Sequence, residues 1–309
     1  MADTQISQAP FIKSKSSSAK MVWGTVASLL PILVTALYCY KIYAVKLILV
    51  TVSASLTAEC LTCLILGKKP RLQDGSSTLY GLLLALFLPP SLPLWMAAAA
   101  GAFAIIAAKE FYGGFAQNPF SPVAAGHVLL TIGFPITMNQ FIQPFNFEEV
   151  IPPLLYAKRD LGSGLPWDQL LTGMNAGWIG AASAAAVLLG GIMMIWQKLV
   201  FPEVPFIFLG SFSAACALLG LPAEIHVLTG GALLAAFFLV TDPVTTPHSR
   251  AGGRAQAFTC GVLLGLLRKF SVYSEGSTMV VIFVNAMTPW FDEFFRPQRA
   301  HSLKSGASE

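Results

Sequence analysis

Charge is what this sequence has least of. Of its 309 residues only 11% are Asp, Glu, Lys or Arg, while 55% are hydrophobic; an ordinary soluble domain is about 25% charged. Too few charges remain to clothe a water-facing surface, which excludes a soluble enzyme. Catalytic signatures are missing as well: the sequence holds no GxSxG, no Walker A loop, no dinucleotide fingerprint and no HExxH. Nucleotide chemistry, if any, is therefore expected on another chain. The five cysteines, Cys39, Cys60, Cys63, Cys216 and Cys260, all fall in apolar runs, and an odd count spread this way makes no disulfide framework. Cys60 and Cys63 have CxxC spacing, but a metal needs two further thiolates or imidazoles beside them. In a membrane helix the spacing reads as small-residue packing.

What the chain does have is a succession of apolar runs, and a membrane span takes about 20 residues. Spans are expected at 21–40, 44–67, 78–88, 94–108 and 122–138, and again at 176–196, 204–219, 226–241, 256–267 and 277–290. The fold class is thus an all-α polytopic membrane protein of about ten transmembrane helices. The basic residues behind the net charge of +4 cluster at the ends of these runs, where they set orientation rather than recruit nucleic acid. Lys13, Lys15 and Lys20 precede the first run; Lys68, Lys69 and Arg71 follow the second; Lys198, the His248–Arg250–Arg254 loop, Arg296, Arg299 and Lys304 fall on the same side. Both termini are expected in the cytoplasm, residues 1–20 being a tail and not a signal peptide. Arg268 and Lys269 are exceptions to this count, and Lys46 is expected to snorkel to the interface.

One internal likeness organises the chain. Gly81-Leu-Leu-Leu-Ala-Leu-Phe-Leu-Pro-Pro-Ser-Leu-Pro93 resembles Gly231-Ala-Leu-Leu-Ala-Ala-Phe-Phe-Leu-Val-Thr-Asp-Pro243, and each lies in the third span of its half. Five spans per half is an odd number, so the halves run in opposite orientations, as an inverted repeat. The expected organisation is a tail at 1–20, a five-helix repeat at 21–138, an extracytoplasmic loop at 139–172, a second repeat at 173–295 and a tail at 296–309. Paired Pro-interrupted helices in such folds point to a binding site near the midplane, because broken ends present free backbone groups and helix dipoles. A kinked helix without a ligand is the plainer reading of either break alone.

Few polar residues stand inside the runs. Glu59, in the middle of the second, reads either as part of an ion or proton path or as a carboxyl bonded to a neighbouring helix. His127 reads as a packing histidine before a redox or metal ligand, because no second ligand stands at helical spacing from it. Asn118, Asp242 and Thr245, beside the breaks, mark the expected functional region, and the plainer roles for such residues are caps and turns.

Several stretches together resemble one family, the D subunit of the Rnf electron-transport complex and its homologue, the B subunit of the sodium-pumping NADH:quinone reductase Nqr (the RnfD/NqrB family). They are Asp74-Gly-Ser-Ser-Thr-Leu-Tyr80 running into the first break and Trp95, Tyr112-Gly-Gly-Phe-Ala-Gln-Asn-Pro-Phe-Ser-Pro122, Thr241-Asp-Pro-Val-Thr-Thr-Pro247, Tyr273-Ser-Glu-Gly276 and Asn285-Ala-Met-Thr-Pro289. The resemblance implies a ten-helix, urea- and ammonium-channel-like subunit of an ion-motive oxidoreductase in a bacterial cytoplasmic (inner) membrane. It implies the other Rnf subunits as partners, with Na⁺ or H⁺ as the ion moved across the lipid. It also implies an FMN esterified through its phosphate to a threonine in the pattern Asp-x-x-Ser-Gly-Ala-Thr. Here that pattern reads Asp160-Leu-Gly-Ser163-Gly164-Leu165-Pro166. Asp160, Ser163 and Gly164 match, but Pro166 has no hydroxyl to carry a phosphoester. The flavin is then non-covalent or absent, electrons bypass the subunit, or the chain is a scaffolding paralogue. A stand-alone solute channel built on the same repeat is the rival from another class, and in none of these readings is the chain a catalyst by itself.

Overall fold

The computed structural model describes residues 18–68, 72–158, 171, 175–271, 273 and 275–295. The described chain is mostly helical. Helices α1 (Ser18–Ser28) and α2 (Leu30–Tyr40) run on as one 23-residue span, followed by α3 (Ile42–Ile65), α4 (Ser76–Leu86), α5 (Leu94–Ala108), α6 (Pro122–Gly133) and the short α7 (Pro135–Met138). The connecting segment carries a small antiparallel pair, β1 (Phe141–Ile142) and β2 (Glu149–Val150), and α8 (Pro153–Lys158). It folds back on the end of α2: the Phe145 N–H donates to the Cys39 carbonyl at 3.2 Å, and the Phe145 ring meets Tyr38 edge-on. The second half contains α9 (Ala184–Trp196), α10 (Glu203–Leu218), α11 (Ala223–Leu228), α12 (Ala232–Leu234), which widens into a π turn over Ala235–Leu239, then α13 (Arg250–Phe270), α14 (Ser277–Ala286) and α15 (Thr288–Phe294).

Among the described residues three helices are long and apolar enough to cross a membrane by themselves: Ser18–Tyr40, Ile42–Ile65 and Leu94–Tyr112. Shorter apolar helices result where Pro or Gly interrupts a run. Pro89 and Pro90 follow the end of α4, and Pro135 separates α6 from α7, since proline cannot continue the hydrogen-bond ladder. Two expected spans differ from their helices. The run expected at 176–196 becomes helical only at Ala184, after a 3₁₀ turn at Ile179–Ala181 in which Gly180 presses on the first break. The run expected at 256–267 is longer, Arg250–Phe270, because the Ser249 hydroxyl caps its start by accepting from the Gly252 N–H at 3.0 Å.

Helix α3 shows how these helices distribute polarity. Its buried face is Ala44, Leu47, Thr51, Ser55, Ala58, Glu59 and Cys63, mostly small or polar, while Leu49, Leu61, Leu64 and Ile65 are exposed. A water-soluble helix does the reverse. Small residues inward and large aliphatics outward is the arrangement suited to lipid, where close backbone approach holds helices together. With the apolar helices, this marks the chain as a membrane protein.

Close crossings follow the same rule. Helix α3 packs most extensively on α5, and α10 on α13. At the first crossing a Cβ on Gly101 would lie 2.9 Å from the Thr51 carbonyl oxygen; at the second, one on Gly261 would lie 2.5 Å from the Phe208 carbonyl oxygen. Only glycine fits either place.

Candidate functional site

The two Pro/Gly-rich stretches that match in sequence are neighbours in space. A Cβ on Gly180 would lie 2.7 Å from Leu86 Cβ and 3.1 Å from Leu234 Cδ2, so the end of α4 and the middle of the second interrupted helix press on one turn. Breaking a helix inside a membrane frees backbone groups that must find partners. At the first break the Leu88 carbonyl accepts from the Ile179 N–H at 3.1 Å, and the Pro89 carbonyl from Leu92 at 3.1 Å. The second interruption begins earlier than the Asp242–Pro243 step would indicate. The helix already parts at Thr229–Gly231, where Gly230 takes φ +69° and Gly231 lies so close to Trp178 that a Cβ would fall 2.3 Å from the ring. The π turn at Ala235–Leu239 then loosens the ladder again before the chain leaves at Thr241. Isolated π turns of this kind concentrate at functional sites.

Between these segments lies a cavity of about 350 Å³. Leu79, Tyr80 and Leu83 of α4 line one side of it; Phe238, Thr241 and Asp242 line the other, with Thr25 of α1 and Ser121 between. Most of the wall is apolar, and its polar groups are few and placed. The Tyr80 hydroxyl is buried beside the Asn118 side chain. Asp242 is half-buried and accepts from the Val244 N–H at 3.1 Å, while its carbonyl accepts from the Thr246 hydroxyl at 2.7 Å. An apolar cavity with a carboxylate and a phenol hydroxyl on its wall can accept a partly dehydrated cation or the polar edge of an aromatic ligand.

Of the residues singled out from sequence, Asp242 borders the cavity. Asn118 is buried close by, with its amide donating to the Phe120 carbonyl at 3.1 Å and its Oδ1 unpartnered among the described residues. Thr245 is buried, but acts through its backbone, whose carbonyl accepts from the Thr288 hydroxyl at 3.1 Å and the Gln256 amide at 3.3 Å. Glu59 lies away from the cavity, bound to Lys109 (Nζ to Oε1, 3.1 Å). Asp160, Ser163, Gly164 and Pro166 lie outside the described residues. His127 packs edge-on against Trp178 at 4.7 Å between ring centres and hydrogen-bonds Thr278 through Nδ1 at 2.8 Å, which ties α6 to α14.

Two buried ionic clusters were not legible as such. The Lys109 ammonium, 1% exposed, meets Glu59, Glu110 (3.5 Å) and the Ser77 hydroxyl (3.0 Å), and Cys63 Sγ stands 3.7 Å from Glu110 Oε2. Arg268, fully buried, holds both Glu275 oxygens through one terminal nitrogen at 2.5 and 2.8 Å, donates to the His226 carbonyl through the other and lies 5.1 Å over the Phe212 ring. That explains why Arg268 stood apart from the orientation count: its charge is held inside the protein. The nearest sequence signal was adjacency, Lys109 beside Glu110 at the end of an apolar run and Arg268 seven residues before Glu275.

Comparison with known proteins decides the lineage. Residues 5–301 match the family described as NQR2, RnfD, RnfE. The chain belongs to that family. It is 30% identical over 294 residues to the D subunit of the Na⁺-translocating ferredoxin:NAD⁺ oxidoreductase complex of Acetobacterium woodii, covering 94% of this chain and 92% of that one. It is 29% identical to the D subunit of the ion-translocating oxidoreductase complex of Citrobacter koseri, covering 95% and 98%. With the corresponding D subunit of Salmonella typhi it shares 34% identity over 274 residues, 74% of this chain and 78% of the other. Within the NQR2, RnfD, RnfE family, then, the cavity between the interrupted helices sits in a chain of nearly full family length.

Proposed function

We propose that this chain is the D-type membrane subunit of an Rnf-type complex in a bacterial cytoplasmic membrane, coupling electron transfer between NADH and ferredoxin to movement of Na⁺ or H⁺. The observation that carries the reading is near-full-length kinship with the D subunits of such complexes, joined to a cavity at the meeting of two interrupted helices. In this reading the two halves form an inverted five-plus-five repeat of about ten spans. The matching sequence stretches and the matching packing of α3 on α5 and α10 on α13 support it. Both termini then face the cytoplasm, and so does the cavity, which His248 borders. Asp242, Asn118 and the Thr245 backbone shape the ion path at the break, and Glu59, in α3 and bound to Lys109 away from the cavity, would extend it.

The family's FMN does not fit this chain by its usual attachment. A phosphoester needs a hydroxyl, and residue 166 is proline, so the usual acceptor is missing; a flavin on this subunit is held non-covalently unless another hydroxyl, Ser163 or Thr172, takes the place of residue 166. The remaining electron carriers belong to the other subunits. Purifying the native assembly and energising it with NADH and ferredoxin in sealed vesicles tests the reading. Redox-dependent Na⁺ uptake or acidification, with iron–sulfur and flavin subunits co-purifying, is expected. An assembly lacking both partners and activity would end it.

Pro166 favours one second reading, a solute channel on the same scaffold. It predicts solute flux through the chain reconstituted alone, with no electron donor present.

A further inference from the structure

Space is distributed unevenly about the interrupted helices. On the His248 side lies the cavity of about 350 Å³; on the side of the 139–158 segment the described residues enclose two small pockets, of about 20 and 10 Å³, each room for about one water. Both small pockets are walled by Trp178 and Glu275. Trp178 fills the space between them and the break, 5.3 Å from the Phe87 ring, 4.7 Å from His127, and against Gly231. One ion pair fixes this wall. Glu275 Oε1 accepts from the Gly231 N–H at 2.8 Å, which anchors the start of the inner leg. Arg268 holds Glu275 with one arm and, with the other, the His226 carbonyl at the end of the outer leg. The two legs on either side of Gly230, whose positive φ makes it the natural hinge, are thus tied to one guanidinium.

We propose that Arg268 and Glu275 are positioning residues that keep the 139–158 side of the path closed, by locking the Thr229–Gly231 break beneath Trp178. The inference rests on the ion path proposed above, and adds which residues hold one end of it shut. A guanidinium suits the task because one terminal nitrogen reaches both carboxylate oxygens while the other, fixed in the same plane, donates to the His226 carbonyl, which the single nitrogen of a lysine ammonium does not reproduce.

The test is accessibility of the full chain in sealed native membrane vesicles, right-side-out to probe the 139–158 face and inverted to probe the cavity face. A cysteine is placed at Thr131, which borders the smaller pocket, and a control cysteine at Leu83, which lines the large cavity. Labelling by a membrane-impermeant maleimide is followed at each peptide by mass spectrometry, so the native cysteines do not interfere. Glu275→Gln is expected to raise labelling at position 131 by about tenfold, through a larger open population, and to leave position 83 unchanged. Arg268→Lys, which keeps the charge but loses the second nitrogen that holds the His226 carbonyl, is expected to fall between, and Arg268 restored on the same background to return it to the slow rate. Unchanged labelling at 131 in both variants overturns the proposal, and so does an equal rise at 131 and 83, which is general loosening. A variant that does not accumulate is decided by the other, the conservative Arg268→Lys. Because the readout needs neither electron donor nor partner subunit, it succeeds or fails independently of the redox assignment.

Discussion

The two buried ionic clusters make an instructive pair. Each sits at the C-terminal end of a long helix, where a cation is favoured by the helix dipole. Each ties that end to an interrupted helix: Lys109 reaches Ser77 in the first turn of α4, and Arg268 reaches His226 in α11. They differ in stoichiometry. Arg268 faces one carboxylate, both of whose oxygens bond the same guanidinium nitrogen, so its formal charges balance. Lys109 faces two, Glu59 and Glu110, with its three N–H donors divided among them and a hydroxyl. Each cluster leaves one buried atom without a partner among the described residues, Glu59 Oε2 in the first and Arg268 Nε in the second. A balanced pair suits a permanent anchor. An unbalanced one, in the lineage of ion-translocating subunits, suits a place where positive charge comes and goes, which is where the proposed path puts Glu59.

The largest effects should come from removing the cations. Taking one partner from a buried pair costs about 3–5 kcal/mol, because the other charge stays buried alone. Lys109→Met strands two carboxylates and Arg268→Met one, so Lys109→Met should lower the thermal unfolding midpoint of the detergent-purified chain further. The reverse order would break the comparison.

Compensation sharpens it. Adding Glu275→Gln to Arg268→Met removes the stranded charge and should recover most of the loss. Adding Glu59→Gln to Lys109→Met leaves Glu110 stranded and should recover only part, until Glu110→Gln is added too. Coupling between such neighbours runs at about 0.5–3 kcal/mol, within reach of a thermodynamic cycle. Full recovery from Glu59→Gln alone would show that Glu110 is not part of the cluster.

Much of this architecture could be read before the structure. The first, second and fourth runs come through as helices with ends within three residues of those expected, because long aliphatic runs bounded by charge leave few alternatives. The region of the breaks was legible from Pro89–Pro90 and Asp242–Pro243. The earlier parting at Thr229–Gly231 was not, since two glycines in an apolar run mark a break only when something as large as Trp178 needs the space. The ionic clusters were least legible of all. Glu59 and Lys109 are 50 residues apart, on helices whose pairing no local pattern announces, and a charge at the end of an apolar run looks the same whether it turns to water or inward.

The smallest contrast concerns the two glycine crossings, which separate the halves by packing alone. A methyl on Gly101 would meet the Thr51 carbonyl oxygen at 2.9 Å and the Ser55 hydroxyl at 3.1 Å; one on Gly261 would meet the Ser211 hydroxyl at 2.0 Å and the Phe208 carbonyl oxygen at 2.5 Å. A hydroxyl can rotate aside, but a carbonyl inside a helix moves only with the helix. Overpacking of this kind costs about 1–3 kcal/mol, and Gly261→Ala should lie at the upper end with Gly101→Ala at the lower. Ser211→Ala added to Gly261→Ala should recover little, because it leaves the Phe208 carbonyl in place. If it restores the unfolding midpoint, the crossing is set by the side chain, and α10 and α13 are free to approach as α3 and α5 do.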